Sequence, residues 1–193
     1  RGANVATNNG GTIFSGWTRQ YDGAVNVKWF GVLSDNSDTI NTPLLQTAIN
    51  TVLYSKEALL YIPSGKYDFT TINTFISGDT DGRAARGKIR IVGDGKMSQS
   101  DLYGTTAQEY GTILNSTTTT GDAIVVSNAN TAVRQTYIEN LTLISSTSGY
   151  GIRAEYCPDF ETTNVGIRVT NVLGSGMLIK DAWLGGLYNT NIV

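Results

Sequence analysis

The chain has 193 residues and a formal net charge of −2, and charged residues make up 16% of it. This length is room for one domain of ordinary size, and the lack of a basic patch excludes nucleic acid as a partner. No apolar run approaches the ~20 residues of a membrane-spanning helix, so the sequence predicts no membrane insertion. The absence of histidine excludes a Ser-His-Asp triad and removes the commonest general base.

Residues 1–24 are predicted to form a neck or lead-in segment. Ile13, Phe14, Trp17 and Tyr21 make this stretch too aromatic for a disordered tail. Two packing partners are open at this point: a neighbouring subunit, or the chain's own helix. Further along, abundant Gly, Thr, Asn and Ser favour many short strands joined by tight turns, and the single Cys157 excludes an intrachain disulfide.

The stretch after residue 24 alternates between strand and helix patterns. Val25, Val27 and Trp29 fall on one side of a predicted strand. Thr42 is the predicted N-cap of a helix with Pro43 in its first position, and the helix ends near Leu53. Apolar residues at helical spacing give this helix one apolar face. A short buried strand, residues 59–62, follows and is turned back at residues 64–66.

Residues 25–68 also contain a series of motifs in a fixed order. They are Trp29-Phe30-Gly31-Val32, Ser34-Asp35-Asn36, Asn41-Thr42, Leu45-Gln46 with Ala48-Ile49, and Tyr61-Ile62-Pro63-Ser64-Gly65-Lys66-Tyr67. This order resembles the N-terminal part of the pectate-lyase superfamily of right-handed parallel β-helices, as it occurs in bacteriophage tailspike depolymerases. Ser34, Asn36 and Asn41 depart from the glycines and the aspartate of that pattern, which affects loop geometry rather than the apolar frame.

The resemblance implies an all-β fold, a right-handed parallel β-helix (a solenoid) with an N-terminal capping α-helix. Residues 25–193 would hold the cap and the first coils, and the domain would continue beyond Val193. The resemblance also implies a homotrimer in the virion, outside the cell. Its partners would be bacterial surface polysaccharide and phage tail or baseplate proteins.

The last third of the chain contains an internal repeat. Rows that begin at Gly121, Gly149 and Gly174 align 28 and 25 residues apart, and second rows begin at Asn140, Asn164 and Asn189. Two short strands per ~25 residues fit a solenoid of stacked coils. The residues predicted to point inward are Ile124, Val126, Ile152, Ala154, Met177, Ile179, Leu141, Leu143, Val165, Ile167 and Ile192. The residues predicted to point outward are Val125, Arg153, Glu155, Leu178, Lys180, Thr142, Arg168 and Asn191.

The repeat places Asn140, Asn164 and Asn189 at one corner of each predicted coil. An asparagine there would bond its neighbour along the stack or tolerate a left-handed turn. Both roles are structural.

Acidic residues of the repeats are the candidates for chemistry, because glycoside hydrolysis needs two carboxyl groups. The candidate catalytic residues are Asp159, Glu161 and Asp181. Tyr150, Tyr156 and Trp183 are the candidate aromatics for stacking on sugars. Ordinary surface charge on a solvated loop also explains these carboxylates. No cofactor or metal is predicted, because N-cap and turn roles account for Asp35 and Asp38.

Three functions fit these observations. The first is a phage tailspike that binds and depolymerises capsule or O-antigen, as a glycoside hydrolase or a lyase. The second is a secreted microbial pectate-lyase-like enzyme, and the third is a non-enzymatic tail adhesion or assembly module. In the first, the principal catalytic carboxylates are expected on coils after Val193, so this portion alone is expected to lack full activity.

Overall fold

The computed structural model describes residues 8–53, 59–74, 88–103, 110–127, 135–157, 159–181 and 186–193. This part of the chain is mostly β, with two α-helices, α1 (Asp38–Leu53) and α2 (Gln99–Tyr103). The strands are β1 (Ile13–Phe14), β2 (Trp17–Thr18), β3 (Val25–Asn26), β4 (Leu59–Ile62), β5 (Gly65–Phe69), β6 (Ile72–Asn73), β7 (Lys88–Gly93), β8 (Thr112–Ser116), β9 (Ile124–Ser127), β10 (Gln135–Ser145), β11 (Tyr150–Glu155), β12 (Asp159–Val169), β13 (Ser175–Lys180), β14 (Gly186–Tyr188) and β15 (Asn191–Ile192).

Two parallel sheets enclose the core. The first sheet runs in the order β14-β12-β10-β7-β4-β3, with β5, β8 and β15 paired onto it, and it curls around the apolar interior. The second sheet has the order β13-β11-β9-β6. Strands β1 and β2 form a separate antiparallel pair. The all-β expectation is therefore confirmed at the level of a curled parallel sheet.

The strand register follows the predicted repeat. Leu141 on β10 pairs with Val165 on β12, and Ile167 on β12 pairs with Ile192 on β15. On the second sheet, Ile152 on β11 pairs with Ile124 on β9 and with Met177 on β13. Strands that alternate inward and outward tolerate no slip of one residue, because a slip would turn every apolar side chain to water.

The core is formed by the predicted inward residues of the middle strands. Leu141, Leu143, Val165 and Ile167 are fully buried, as are Ile124, Val126, Ile152 and Ala154 on the second sheet. Exposure rises on the last strands, where Ile179 is 43% exposed and Ile192 46% exposed.

Two residues predicted to point outward are buried. Thr142 is fully buried, and its Oγ1 accepts a hydrogen bond from the backbone N–H of Met97 at 2.8 Å, since residues 97–103 cover this part of the sheet. Glu155 is only 7% exposed, and its carboxylate receives a hydrogen bond from Arg153 at 2.9 Å. Alternation gives the side of a sheet on which a residue lies, and it does not say whether another segment covers that side.

One face of helix α1 packs against the core. Leu45 and Ile49 are buried on its inner face. The side chain of Gln46 makes two hydrogen bonds with the backbone of Asn73, each 2.8 Å long. Its Oε1 accepts from the Asn73 N–H, and its Nε2 donates to the Asn73 carbonyl. The helix thus covers both apolar side chains and the edge of β6.

The predicted start of this helix was wrong. The helix begins at Asp38, so Thr42 lies inside it and Pro43 is not its first residue. The Thr42 hydroxyl donates to the Asp38 carbonyl at 2.6 Å and accepts from the Thr70 N–H at 2.9 Å. This tertiary contact gives Thr42 a role other than capping.

Two local predictions before and after the helix were also wrong. Strand β3 ends at Asn26, whose side chain accepts from the Lys28 N–H at 2.9 Å and caps a 3₁₀ helix, Val27–Phe30. Gly65 begins β5, which pairs in parallel with β8. Residues 64–66 therefore form a corner between strands of a parallel sheet instead of a hairpin.

The lead-in segment packs on its own chain through several side chains. The Arg19 guanidinium lies 4.7 Å from the centre of the Trp29 ring, and the Tyr21 and Trp29 rings are 5.3 Å apart. Phe14 and Trp17, at the tip of the β1–β2 pair, are 63% and 81% exposed. Packing on the chain's own N-terminal end is therefore observed, and contact with a neighbouring subunit stays a prediction.

In the part of the chain that the structure describes, no helix has the length and apolar character needed to cross a membrane.

Candidate functional site

The outward side chains of β7, β10 and β12 form one continuous polar surface, which we call the outer face of the first sheet. Its members are Lys88, Arg90, Gln135, Tyr137, Glu139, Asp159, Glu161 and Thr163. Parallel pairing arranges them in rows across the strands: Lys88, Gln135 and Asp159; Arg90, Tyr137 and Glu161; and Glu139 and Thr163, with the apolar Val92 of β7 beside Glu139. Neighbouring members of a row are one strand spacing apart, about 4.8 Å.

Two of the candidate catalytic residues, Asp159 and Glu161, lie on this outer face on either side of the buried Phe160. Each carboxylate is half-buried and has a neutral donor. Gln135 Nε2 donates to Asp159 Oδ2 at 2.9 Å, and Thr163 Oγ1 donates to Glu161 Oε1 at 3.1 Å. Positions two residues apart on a strand have Cα atoms about 6.6 Å apart, so the two side chains are neighbours on the same face of one strand.

Tyr137 is the aromatic residue beside these carboxylates. It lies between Arg90 and Glu161 in one row, and the Lys88 Nζ is 5.1 Å from the centre of its ring. Burial raises the pKa of the Tyr137 hydroxyl above its ordinary value, and the nearby charges of Asp159 and Glu161 raise it further. The phenol is therefore a neutral, half-buried surface next to two carboxylates.

The sequence contained a signal for Tyr137 that the prediction did not use. Gln135, Tyr137 and Glu139 precede Asp159, Glu161 and Thr163 by 24 positions, the same offset that relates Asn140 to Asn164. The repeat alignment started at the asparagine, so it missed the first half of each long strand.

One charged pair on the outer face is fixed. Arg90 donates from Nε and from a terminal nitrogen to the two oxygens of Glu139, both at 2.6 Å. These hydrogen bonds raise the pKa of Arg90, with a smaller contribution from the charge of Glu161. The Arg90–Glu139 pair forms one side of a shallow depression whose other lining residues are Lys88, Tyr137 and Glu161.

The other predicted site residues lie elsewhere. Tyr150 is on β11 of the second sheet, and Tyr156 follows that strand, 38% exposed. Asp181 is exposed and directly follows β13, as Tyr156 directly follows β11. Both residues have a left-handed backbone, with φ of 55° for Tyr156 and 53° for Asp181. These residues are outside the outer face that carries Asp159 and Glu161. Trp183 lies outside the described residues.

The second sheet has its own charged cluster. Arg153 donates to Glu155 at 2.9 Å and lies 3.3 Å from Asp122, whose other carboxylate oxygen accepts from the Tyr150 N–H. The hydrogen bond that Arg153 donates to Glu155 is the largest cause of the raised pKa of Arg153. Glu155 is therefore part of an ion-pair network with Arg153 and Asp122.

Within the described ranges, no group of three or more Cys, Asp or Glu side chains is arranged to hold a metal ion. Asp38 accepts from the Thr39 N–H at 2.6 Å and from the Thr117 hydroxyl, which gives it a structural role at the start of α1. Asp35 is exposed in the preceding loop.

No protein-family model matches the chain, and no curated protein matches it. One solved structure, titled "Geobacillus virus E2 - ORF18", is similar over 74% of this chain, with 22% sequence identity and a TM-score of 0.49. The chain spans a quarter of the length of that structure, 25%. At this level of similarity the comparison supports no argument about function.

Proposed function

We propose that this chain is part of a phage tailspike that binds and depolymerises a bacterial surface polysaccharide. The observation that carries the proposal is the outer face of the first sheet. There, Asp159 and Glu161 lie together with Tyr137 on neighbouring parallel strands. An aromatic ring with adjacent polar groups is a surface suited to sugars, which present both C–H faces and hydroxyls.

The finer fold in this proposal is a right-handed parallel β-helix. Its support is the offset between paired strands: 24 positions from Leu141 to Val165, and 25 from Ile167 to Ile192 and from Ile152 to Met177. The offset from Ile124 to Ile152 is 28 positions. Similar offsets between successive parallel strands are the pattern of a solenoid, in which each repeat contacts its neighbours. Helix α1 would be the cap of that solenoid. The homotrimer, the virion location and the contact with tail or baseplate proteins belong to the same proposal.

In the proposed reaction, Asp159 and Glu161 act as the two carboxyl groups of a glycoside hydrolase. One of them, protonated, donates its proton to the glycosidic oxygen as the bond to the anomeric carbon breaks. The other takes a proton from the water that attacks that carbon, so the products are two shorter chains with one new reducing end. Tyr137 would hold a neighbouring sugar against its ring.

The test is to incubate the chain with a panel of capsular and O-antigen polysaccharides. Binding is measured by affinity electrophoresis, and cleavage by new reducing ends or by unsaturated sugar products. Hydrolysis gives reducing ends alone, whereas elimination also gives the unsaturated product. Asp159→Asn and Glu161→Gln are the variants, and Asp35→Asn is the matched control in an exposed loop.

The expected result is binding of a polysaccharide that both variants weaken and the control does not. Cleavage abolished by Glu161→Gln would support the hydrolase reaction. Binding without any cleavage by the chain would mean that Asp159 and Glu161 are not the catalytic pair. If no polysaccharide binds, the proposal is wrong.

A further inference from the structure

Strand β14 continues the row of Tyr137 and Glu161 with a glycine. Gly186 pairs with Glu161, and Tyr188 pairs with Thr163 two positions later. A Cβ atom added to Gly186 would be 2.7 Å from Cζ and 2.8 Å from Oη of Tyr188. The ring of Tyr188 therefore lies over Gly186, in the space that a side chain at that position would fill.

This arrangement places a second ring beside Glu161. The row reads Tyr137, Glu161, then Gly186 covered by the ring of Tyr188. The strands of Tyr137 and Gly186 are two spacings apart, about 9.6 Å. Tyr188 is 59% exposed, so its ring is accessible from solvent.

We infer that Tyr137 and Tyr188 are two sugar-stacking positions on either side of Glu161. Two strand spacings are close to the length of two successive pyranose rings in an extended glycan. The ligand class is thus an extended polysaccharide of pyranose sugars with apolar C–H faces. The bound polysaccharide would lie perpendicular to the strands, along the row from β10 to β14, with one glycosidic linkage at Glu161. This inference rests on the proposed function and adds to it the binding residue Tyr188 and the direction of the chain.

Gly186 provides the sharpest variant, because Gly186→Ala displaces the Tyr188 ring without removing it. Tyr188→Ala removes the ring, and Tyr188→Phe keeps it as the conservative variant. Tyr103→Ala is the matched control, since Tyr103 is 64% exposed on α2, away from the outer face. Circular dichroism of each variant checks that it folds.

The probe is the polysaccharide that the wild-type chain binds in the panel, cut by mild acid and separated by length. Dissociation constants are measured by calorimetry from the monosaccharide upward. Gly186→Ala and Tyr188→Ala are expected to weaken binding about tenfold for fragments of two or more sugars, as loss of one stacking contact predicts. Both variants should leave monosaccharide binding almost unchanged, while Tyr188→Phe and Tyr103→Ala bind as the wild type does.

Two results would overturn the inference, and they are distinguishable. If Tyr137→Ala and Glu161→Gln weaken binding while Gly186→Ala and Tyr188→Ala do not, Tyr188 has no part in the site and the proposed function stands. If all of these variants bind as the wild type does, the glycan site is not on this face, and both proposals fail.

Discussion

The two sheets of this protein use the same strand geometry but treat the charges on their outward sides differently. On the second sheet, Arg153 holds Glu155 and lies beside Asp122, so Glu155 is only 7% exposed. On the first sheet, Asp159 and Glu161 are half-buried and receive hydrogen bonds from neutral side chains.

The difference separates two roles that composition alone cannot distinguish. A carboxylate whose hydrogen-bonding positions are filled by an arginine has little left to offer a ligand, and removing its partner destabilises the fold. A half-buried carboxylate with a neutral donor keeps an accessible oxygen. The Arg153, Glu155 and Asp122 cluster of the second sheet is therefore structural, whereas Asp159 and Glu161 of the first sheet keep oxygen atoms that a ligand could reach.

The largest expected effect tests this difference in stability. Arg153→Ala should lower the free energy of unfolding by about 2–3 kcal/mol, because the buried Glu155 loses its arginine. Arg90→Ala should cost less, about 1 kcal/mol, because the Arg90 side chain is 50% exposed and that of Arg153 is 38% exposed. Urea unfolding of the two variants measures both values. An equal or larger cost for Arg90→Ala would contradict the distinction between the sheets.

A smaller effect is expected at the corner of the first sheet. Asn164 donates to Asn140 and accepts from Asn189, both at 2.9 Å, and all three residues have left-handed backbones, with φ of 53°, 55° and 48° in chain order. Asn164→Ala should cost about 1–2 kcal/mol, because alanine is strained at positive φ and the amide bonds are lost. Asn164→Gly removes only the bonds, and thermal unfolding should show a smaller loss. Equal losses would mean that backbone strain does not contribute.

These asparagines show how much the sequence could predict. Their spacing predicted both the corner and the two structural roles, and the structure has both at once. The apolar alternation after each asparagine also predicted the register of β10 with β12, since any slip would expose Leu141 and Leu143. Patterns that repeat along the chain are set by the pairing of neighbouring parallel strands, so they can be predicted without knowing which other segments cover the sheet.

The errors came from contacts between distant segments. Thr42 was predicted to cap a helix because a proline follows it. It lies inside α1 instead, where its hydroxyl accepts a hydrogen bond from the backbone N–H of Thr70. Thr142 was placed in solvent because alternation points it outward, but the Met97 backbone covers it. For the candidate site, the sequence named the carboxylates of β12, whereas Tyr137 and Tyr188 depended on strand pairings that the alignment did not include.

The smallest expected effect concerns pH. Asp94 lies at the end of β7, and its carboxylate accepts from Tyr61 Oη at 2.6 Å and from the Ser64 N–H at 2.7 Å. The Tyr61 hydrogen bond is the largest cause of the lowered pKa of Asp94. A lowered pKa in the folded state stabilises the protein above the ordinary aspartate pKa, about 3.9, and this contribution is lost as the pH falls through the lower folded value.

The urea midpoint of the wild type should be lower at about pH 3 than at about pH 6. In Asp94→Asn this difference between the two pH values should be smaller. Asp35→Asn, in an exposed loop, is the control and should leave this difference as it is. The measurement is urea unfolding at the two pH values. A midpoint difference in Asp94→Asn as large as that of the wild type would show that the Tyr61–Asp94 contact does not contribute to stability.

The most direct test of the central claim, that the outer face of the first sheet binds glycan, is chemical-shift mapping by NMR. Isotopically labelled protein is titrated with each polysaccharide of the panel, cut to short fragments. The account predicts that the largest amide shifts fall on Tyr137, Glu161 and Gly186, with little change at Arg153 and Leu178 on the second sheet. Shifts centred on the second sheet, or none with any fragment, would contradict it.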